Sequence, residues 1–241
     1  MTNAAFPELP APLASELSEI DSCSLCNAIE ATGTRPRDEG FTDGTIRCLF
    51  DRLPPMLGYA FTLRVSTGHP KVRELRYVDH VDWAPALLAL PEPRILVVEN
   101  IGADPSRGAV LGEVHASIFR ALGVAGVVTN GAVRDLPALE TLRFHAFAGF
   151  VSVSHAYAHV VEVGAAVGIG GMSIQTGQVL HGDRHGIVSI PIEVADQLPT
   201  LVQRQKADEA RIIDYCRSTQ FSVAGIDALL RQVQREHPLP D

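Results

Sequence analysis

A helix followed by a strand in the middle of the chain restricts the fold more than any other feature. Glu113 to Leu122 has a helical pattern, Gly123 is placed to end that helix, and Val124 to Thr129 is an apolar strand. A helix of about ten residues advances ~15 Å, and a strand of about six residues spans ~18 Å. Because the two lengths nearly cancel, Gly112–Glu113 and Asn130–Asp135 are predicted to lie side by side.

This juxtaposition brings together groups with a shared chemical use. The start of the helix carries four amides without an intrahelical partner, those of Gly112, Glu113, Val114 and His115. Such amides lie at the positive end of the helix dipole and can bind a carboxylate. Arg134 adds a permanently charged fork of donors for a carboxylate or an enolate oxygen. Asp135 and Glu113 are hard oxygen ligands, or orienters of water, suited to Mg²⁺ or Mn²⁺.

The same residues also have a purely structural interpretation. Arg134 and Asp135 can form an ion pair that fixes a loop, and Glu113 is favourable in the first turn of any helix. The pattern alone leaves both interpretations open.

The rest of the chain predicts intermixed strands and helices in one domain spanning residues 1–241. Its core covers about 15–191, and C-terminal helices cover about 192–236. The predicted strands are Gly58 to Ser66, Arg94 to Glu99, Phe147 to Ser154, Val160 to Ile169 and a hairpin from Gln178 to Pro191. The predicted helices are Asp21 or Ser22 to Glu30, part of Val78 to Leu90, Ile192 to Cys216 and Val223 to Glu236. Asn130-Gly131 is a predicted turn. The fold class is therefore mixed, α/β or α+β.

Composition excludes several kinds of protein. The net charge is −8 among 241 residues, so nucleic acid is not the expected partner. No apolar run approaches the ~20 residues that span a bilayer. Four cysteines do not make a disulfide scaffold, and we expect a cytoplasmic protein. Cys23 and Cys26 lack the second pair that a zinc site needs. Lys71 and Lys206 are the only lysines, so Schiff-base chemistry has two candidates.

The central segment resembles a known family. Gly112-Glu113, twenty intervening residues and Arg134-Asp135 are similar to the motif of the 4-hydroxy-4-methyl-2-oxoglutarate aldolases. These class II aldolases share a fold with the regulator of ribonuclease activity A proteins. The resemblance covers roughly residues 15 to 215. It extends to Asp21–Ala28, Leu57–Thr62, Gly126–Gly131 and Gly177–Pro191.

The resemblance implies a fold, an assembly and a set of roles. The fold would be a β/β/α swivelling-type sandwich, assembled as a homotrimer or a dimer of trimers. Gly112 to His115 would bind substrate, Arg134 would contact it, and Asp135 would hold a divalent metal, Mg²⁺ or Mn²⁺, partly through water. Glu113 stands where the aldolases usually carry aspartate. Glu209 falls near a glutamate that the aldolases lend to a neighbouring subunit, and Asn130 replaces a common aspartate.

The implied reaction is a metal-dependent retro-aldol cleavage of a 4-hydroxy-2-oxo diacid to pyruvate and a second carbonyl product. The metal would act as a Lewis acid, and Arg134 would stabilise the pyruvate enolate. A water oriented by Glu113, or by Glu209 of the next subunit, would take the C4 hydroxyl proton. Oxaloacetate decarboxylation passes through the same enolate. Two alternatives stay open: a non-catalytic ribonuclease regulator, which would dispense with Glu113, and a lyase of the same fold acting on another 2-oxo acid.

The remaining histidines and glycines have structural explanations at this stage. His155 and His159 would share one face of a strand. Asp183, between His181 and His185, is typical of a turn. Gly164 to Gly171 lacks the helix and the acidic residue of a dinucleotide site and fits pliant backbone in a sheet.

Overall fold

The computed structural model describes residues 6–71 and 81–237. The helices are α1 (Ala11–Ser18), α2 (Ser22–Thr32), α3 (Ala84–Leu88), α4 (Glu113–Ala121), α5 (Leu136–Thr141), α6 (Leu198–Arg217) and α7 (Val223–Glu236). The strands are β1 (Arg47–Cys48), β2 (Met56–Ser66), β3 (Arg94–Asn100), β4 (Ala109–Leu111), β5 (Val124–Val133), β6 (His145–Val151), β7 (His159–Val163), β8 (Val167–Ile169), β9 (Met172–Ile174), β10 (Val179–Asp183) and β11 (Gly186–Ile190). The predicted mixed α/β class is confirmed.

A nine-stranded sheet forms the centre of the molecule. Its order is β1-β6-β5-β3-β2-β10-β11, with β4 beside β5 and β7 beside β2. The neighbours β2, β3, β5 and β6 run parallel. β10 runs antiparallel to β2 and forms the predicted hairpin with β11. Parallel strands end at the same edge of a sheet, so residues that follow β5 lie close to those that follow β4.

The sheet is covered on both faces, which explains the continuous apolar runs of its inner strands. Along β3, Leu96 and Val98 pack in the cluster that contains residues of α3, α4 and α5. The alternate residues Ile95 and Val97 pack against the small β8–β9 sheet. Helices therefore cover one face and a second sheet covers the other, as expected for the β/β/α sandwich.

A third apolar cluster joins helices α1, α2 and α6 to the β10–β11 hairpin. The start of α2 is capped by Asp21, whose carboxylate accepts from the Ser24 amide at 2.8 Å. Ser22, the alternative cap, is the first helical residue. Gly33 ends α2 in the left-handed conformation at φ 66°, as predicted.

Two predictions about the middle of the chain were wrong. Asn130-Gly131 is not a turn, since β5 continues to Val133. The Asn130 side chain accepts from the Asn100 amide at 2.7 Å and donates to the Asn100 carbonyl, which holds the irregular stretch against β3. Val160 to Ile169 is not one strand either. Gly164 turns the chain at φ 80°, so that β7 and β8 lie in different sheets.

The C-terminal helices follow the prediction with one shift. A 3₁₀ turn covers Ile192–Val194, and α6 starts only at Leu198, where Pro199 favours a helix start. α7 spans Val223–Glu236, as predicted. The predicted partial helix Val78 to Leu90 lies partly outside the described residues, and its described part contains α3. Within residues 6–71 and 81–237, no helix combines the length and apolar character needed to cross a bilayer.

Candidate active site

The predicted contact between the start of α4 and the end of β5 is present. The Arg134 amide donates to the Leu111 carbonyl at 3.0 Å, which fastens the end of β5 to the end of β4. The Glu113 amide donates to Asp135 Oδ2 at 2.9 Å. The predicted proximity is confirmed, because residues 22 positions apart in sequence are joined by a hydrogen bond. The predicted reason was wrong, since β5 has ten residues and is much longer than α4. The pairing of β4 with β5 brings the two segments together instead.

Gly112 allows this close approach because it has no side chain. A Cβ at this position would lie 2.5 Å from Asp135 Oδ2 and 2.9 Å from Arg134 Nε. Its φ of −142° is accessible to any residue, so space rather than backbone conformation requires glycine here.

Asp135 has a strained backbone and a carboxylate with one open oxygen. Its φ is 58°, a left-handed conformation that aspartate tolerates better than most residues. Oδ2 accepts from the Glu113 amide and lies 3.5 Å from Arg134 Nε. No hydrogen bond within the described residues reaches Oδ1, and the side chain is 39% exposed. Asp135 thus accepts from one of the first amides of α4. The next two amides, those of Val114 and His115, have no acceptor in the described chain.

Arg134 opens onto a cavity of about 340 Å³ beside the start of α4. The cavity is lined by Ala109, Val110, Leu111, Gly112, Val114, His115, Arg134, His155 and Ala158. The Glu113 side chain is exposed and is not part of this lining. The predicted substrate-binding residues therefore converge on one cavity, except Glu113, which does not line it.

His115 contributes an imidazole to the cavity. Burial lowers its pKa, and the neighbouring charges of Arg134 and His155 lower it further. A lowered pKa favours the neutral imidazole, which can donate or accept a hydrogen bond without adding a second positive charge beside Arg134.

His155 was not predicted as a site residue. The interpretation of Phe147 to Ser154 as a strand was wrong at its end, since β6 stops at Val151. His155 lies in the loop before β7, so it does not share a strand face with His159, the first residue of β7. The even spacing of the two histidines gave no signal for this position.

Asp135, beside the cavity, is the carboxylate that fits a hard divalent cation held largely by water and substrate. Mg²⁺ commonly takes one or two protein carboxylates and keeps several waters, and Asp135 Oδ1 is available for that role. Across residues 6–71 and 81–237, no group of three His, Cys, Asp or Glu side chains is placed to hold a metal ion. Asn130, at the position of a common aspartate, is committed to Asn100 and offers no ligand.

Glu209 lies away from this cavity in its own chain. It is exposed on α6 and lines a different cavity of about 430 Å³ between α2, α6 and α7. Its expected role in the site of a neighbouring subunit stays a prediction.

A larger crevice of about 810 Å³ lies elsewhere, between the first described residues and the β9–β10 connection. Its arginine, Arg35, is already bound to the Ser189 carbonyl and hydroxyl at 2.9 and 2.7 Å. None of the predicted site residues lines it. The smaller cavity, lined by Arg134, His115 and His155, is therefore the candidate active site.

Comparison with known proteins agrees with this architecture. The family model described as RraA-like, Aldolase/RraA, matches residues 22–189. A protein of Halalkalibacterium halodurans named "Putative 4-hydroxy-4-methyl-2-oxoglutarate aldolase" is 26% identical over 198 residues, which cover 80% of this chain and 88% of that protein.

Two solved structures share the fold. An uncharacterized protein from Pseudomonas syringae pv. tomato superposes with a TM-score of 0.67 at 18% identity, covering 94% of this chain and 96% of that chain. Streptomyces coelicolor RraAS2, described as an unusual member of the RNase ES inhibitor RraA protein family, superposes with a TM-score of 0.63 at 20% identity. That match covers 88% of this chain and 98% of RraAS2.

Proposed function

The chain belongs to the RraA-like family, and from that premise we propose that it is a divalent-metal-dependent aldolase. Its substrate would be a 4-hydroxy-2-oxo diacid such as 4-hydroxy-4-methyl-2-oxoglutarate, which it would cleave to pyruvate. The observation that carries this proposal is a cavity lined by Arg134 and the first residues of α4. Beside it, Asp135 Oδ2 accepts from the Glu113 amide and lies 3.5 Å from Arg134 Nε.

Each of these groups has a place in the reaction. The Val114 and His115 amides would bind the C1 carboxylate of the substrate at the positive end of α4. Arg134 would donate to the 2-oxo oxygen, where negative charge develops as the enolate forms. Asp135 would hold Mg²⁺ or Mn²⁺, which when bound supplies Lewis acidity toward the 2-oxo acid. By the resemblance, a water oriented by Glu113, or by Glu209 of a neighbouring subunit, would receive the C4 hydroxyl proton.

The two lysines support a route without a Schiff base. Lys206 is half exposed on α6, 3.5 Å from Asp21, and neither lysine lines the cavity. Desolvation is what normally lowers the pKa of a Schiff-base lysine, and an exposed, ion-paired lysine does not provide it. Decarboxylation of oxaloacetate, which shares the enolate, is the expected side activity.

We also propose a homotrimer or a dimer of trimers. Apolar side chains are exposed close to the cavity, with Val114 72% and Val153 96% accessible in the single chain. Exposed apolar patches commonly mark protein interfaces. Such an assembly would bring a second chain, and with it Glu209, toward the cavity.

A coupled assay for pyruvate release in the presence of Mg²⁺ tests the proposal. Wild type should release pyruvate from 4-hydroxy-4-methyl-2-oxoglutarate and from oxaloacetate. Arg134→Ala should lower kcat/KM for both substrates by about 10²-fold or more, because it removes the donor to the enolate oxygen. A non-catalytic ribonuclease regulator, the alternative function, would release no pyruvate from either substrate.

A further inference from the structure

His155 lies on a loop that backbone hydrogen bonds tie to the strand ends around the cavity. The Ser152 amide donates to the Val133 carbonyl at 3.1 Å, and the Ala109 amide donates to the Ser154 carbonyl at 2.8 Å. The Tyr157 amide donates to the Thr67 carbonyl at 3.3 Å. These bonds anchor the loop to the end of β5, the start of β4 and the residue after β2. His155 and Arg134 line the same cavity.

One hydrogen bond fixes the tautomer of His155. Its Nδ1 lies 2.8 Å from the Ala156 carbonyl oxygen, and a carbonyl can only accept. Nδ1 therefore carries the hydrogen, and in the neutral imidazole Nε2 has a free lone pair. Ala156 has φ 48°, a left-handed conformation that is costly for alanine. Strained backbone of this kind recurs where a functional group must be aimed.

The groups around His155 suit a proton acceptor. Among the described residues, Arg134 from the end of β5 and His115 from α4 share the cavity with it. Tyr157 on its own loop and His159 at the start of β7 are the titratable groups nearest to it in sequence. The Glu113 carboxylate does not line the cavity. Of the cavity-lining side chains, the imidazoles of His115 and His155 are those with a nitrogen lone pair that can accept a proton.

We propose that His155, acting through Nε2, is the proton-transferring catalytic residue of the aldol cleavage, in place of the water oriented by Glu113 or Glu209 that the resemblance implies. Nε2 takes the proton of the C4 hydroxyl as the C3–C4 bond breaks. The electron pair of the broken O–H bond forms the second C4–O bond of the new carbonyl, and the C3–C4 electron pair becomes the enolate of pyruvate. The imidazolium then returns the proton to C3. The number of protons is unchanged, and no oxidant or reductant is needed. This inference rests on the proposed aldolase function.

The substitution His155→Asn removes the proposed base but keeps the hydrogen bond that holds the side chain to its loop. The asparagine amide occupies the place of Nδ1 and can still donate to the Ala156 carbonyl, but nothing replaces Nε2. His159→Asn is the matched control, because His159 Nδ1 also contacts a backbone carbonyl, that of Tyr157 at 2.6 Å, while its ring lies outside the cavity lining. Circular dichroism and thermal melting check that both variants are folded.

The expected loss of activity in His155→Asn differs between the two substrates. Decarboxylation of oxaloacetate removes no hydroxyl proton, and solvent can protonate the enolate. The aldol cleavage needs the base in its bond-breaking step, where general-base catalysis contributes typically 10²–10⁴-fold. We expect kcat for cleavage of 4-hydroxy-4-methyl-2-oxoglutarate to fall by about 10²-fold or more, with a changed pH profile. Decarboxylation should fall by less than about tenfold, and His159→Asn should behave as wild type.

Several results would overturn this role. One is a His155→Asn variant that cleaves the hydroxy acid at the wild-type rate with an unchanged pH profile. Another is an equal loss of both activities, which would make His155 a structural residue. A third is an NMR assignment of the neutral His155 ring as the Nε2–H tautomer. If wild type releases no pyruvate from either substrate, the proposed function fails and this inference falls with it. If Arg134→Ala is impaired while His155→Asn is not, only the inference fails.

Discussion

Two helices of this molecule, α2 and α4, have a first-turn amide that donates to an aspartate from elsewhere in the chain. The two carboxylates differ in whether their second oxygen is also hydrogen-bonded. At α2, Asp183 Oδ2 accepts from the Ser22 amide at 2.8 Å, and Oδ1 accepts from the Ser22 hydroxyl at 2.6 Å and the His185 amide at 2.8 Å. At α4, Asp135 uses Oδ2 alone for the Glu113 amide and Arg134.

Their surroundings differ in the same way. The Asp183 side chain is 10% exposed and that of Asp135 is 39% exposed. Asp183 comes from the end of a regular hairpin, whereas Asp135 has a left-handed backbone. The same contact between an aspartate and a helix start therefore has two outcomes. At Asp183 both carboxylate oxygens are hydrogen-bonded, whereas Asp135 keeps one oxygen without a hydrogen bond beside a cavity. Sequence motifs alone do not distinguish the two sites, since each aspartate is adjacent in sequence to an arginine, Arg184 or Arg134.

The largest expected effect comes from Asp135→Asn. The amide oxygen can still accept from the Glu113 amide, so the melting temperature should stay within about 2 °C of wild type. The charge that would hold the metal and orient Arg134 is lost, and a misplaced group of this kind costs about 10²-fold in kcat/KM. Pyruvate release and thermal melting measure the two effects. An Asp135→Asn variant with wild-type activity would contradict the functional role assigned to Asp135.

His181, on the same strand as Asp183, is expected to make the stability of the protein sensitive to acid. His181 is fully buried, and neither ring nitrogen has a hydrogen-bond partner within the described residues. Burial lowers its pKa to about 4, and Asp183 and the Ile20 backbone offset this only in part. Because the unfolded chain binds the proton at higher pH than the folded chain, the free energy of unfolding should fall as pH drops from about 6.5 to 4.

His181→Leu should remove part of that fall. One such histidine accounts for about 3 kcal/mol across the window. His145, whose pKa is also lowered to about 4 by burial and by Arg143 and Arg120, should leave roughly half of it in the variant. Urea unfolding at pH 7 and pH 4.5 measures the difference. An equally steep loss of stability in His181→Leu would contradict the assignment.

A smaller effect is expected for Asp183→Asn, at about 2 kcal/mol of unfolding free energy. The asparagine amide group would oppose the donors of Ser22 and His185. Burial raises the pKa of Asp183, but the hydrogen bonds from Ser22 and His185 outweigh it and hold the pKa below its usual value. Its contribution should therefore persist as pH falls to about 4 and be lost only in stronger acid.

Activity per folded molecule separates Asp183→Asn from Asp135→Asn. The Asp183 variant should keep wild-type kcat/KM at neutral pH, since its carboxylate lies away from the cavity. A specific loss of activity at unchanged stability would mean that the two helix starts have been assigned the wrong way round.

The sequence predicts much of the fold for a physical reason. Gly33 and Gly123 end their helices in left-handed conformations, at φ 66° and 75°, and only local backbone freedom decides such positions. These helix ends depend on neighbours in sequence. The contact of Gly112–Glu113 with Asp135 was also predicted, but the pairing of β4 with β5 produces it, since the ten-residue β5 is much longer than α4.

The remaining features depend on partners far away in the chain. Asn130-Gly131 has the composition of a turn, but Asn100 on β3 keeps it extended. His155 reaches the cavity through a loop held by Ala109, Val133 and Thr67. The outward direction of the Glu113 side chain depends on how α4 is rotated about its axis. No periodicity or motif encodes such long-range packing.

The stoichiometry of pyruvate release from 4-hydroxy-4-methyl-2-oxoglutarate tests the central claim most directly. Cleavage between C3 and C4 turns each substrate molecule into two molecules of pyruvate. The account predicts this ratio for wild type with Mg²⁺, its loss on chelation with EDTA, and its recovery when Mg²⁺ is restored. Absence of pyruvate, or a reaction indifferent to EDTA, would contradict the assignment of this cavity as a metal-dependent aldolase site.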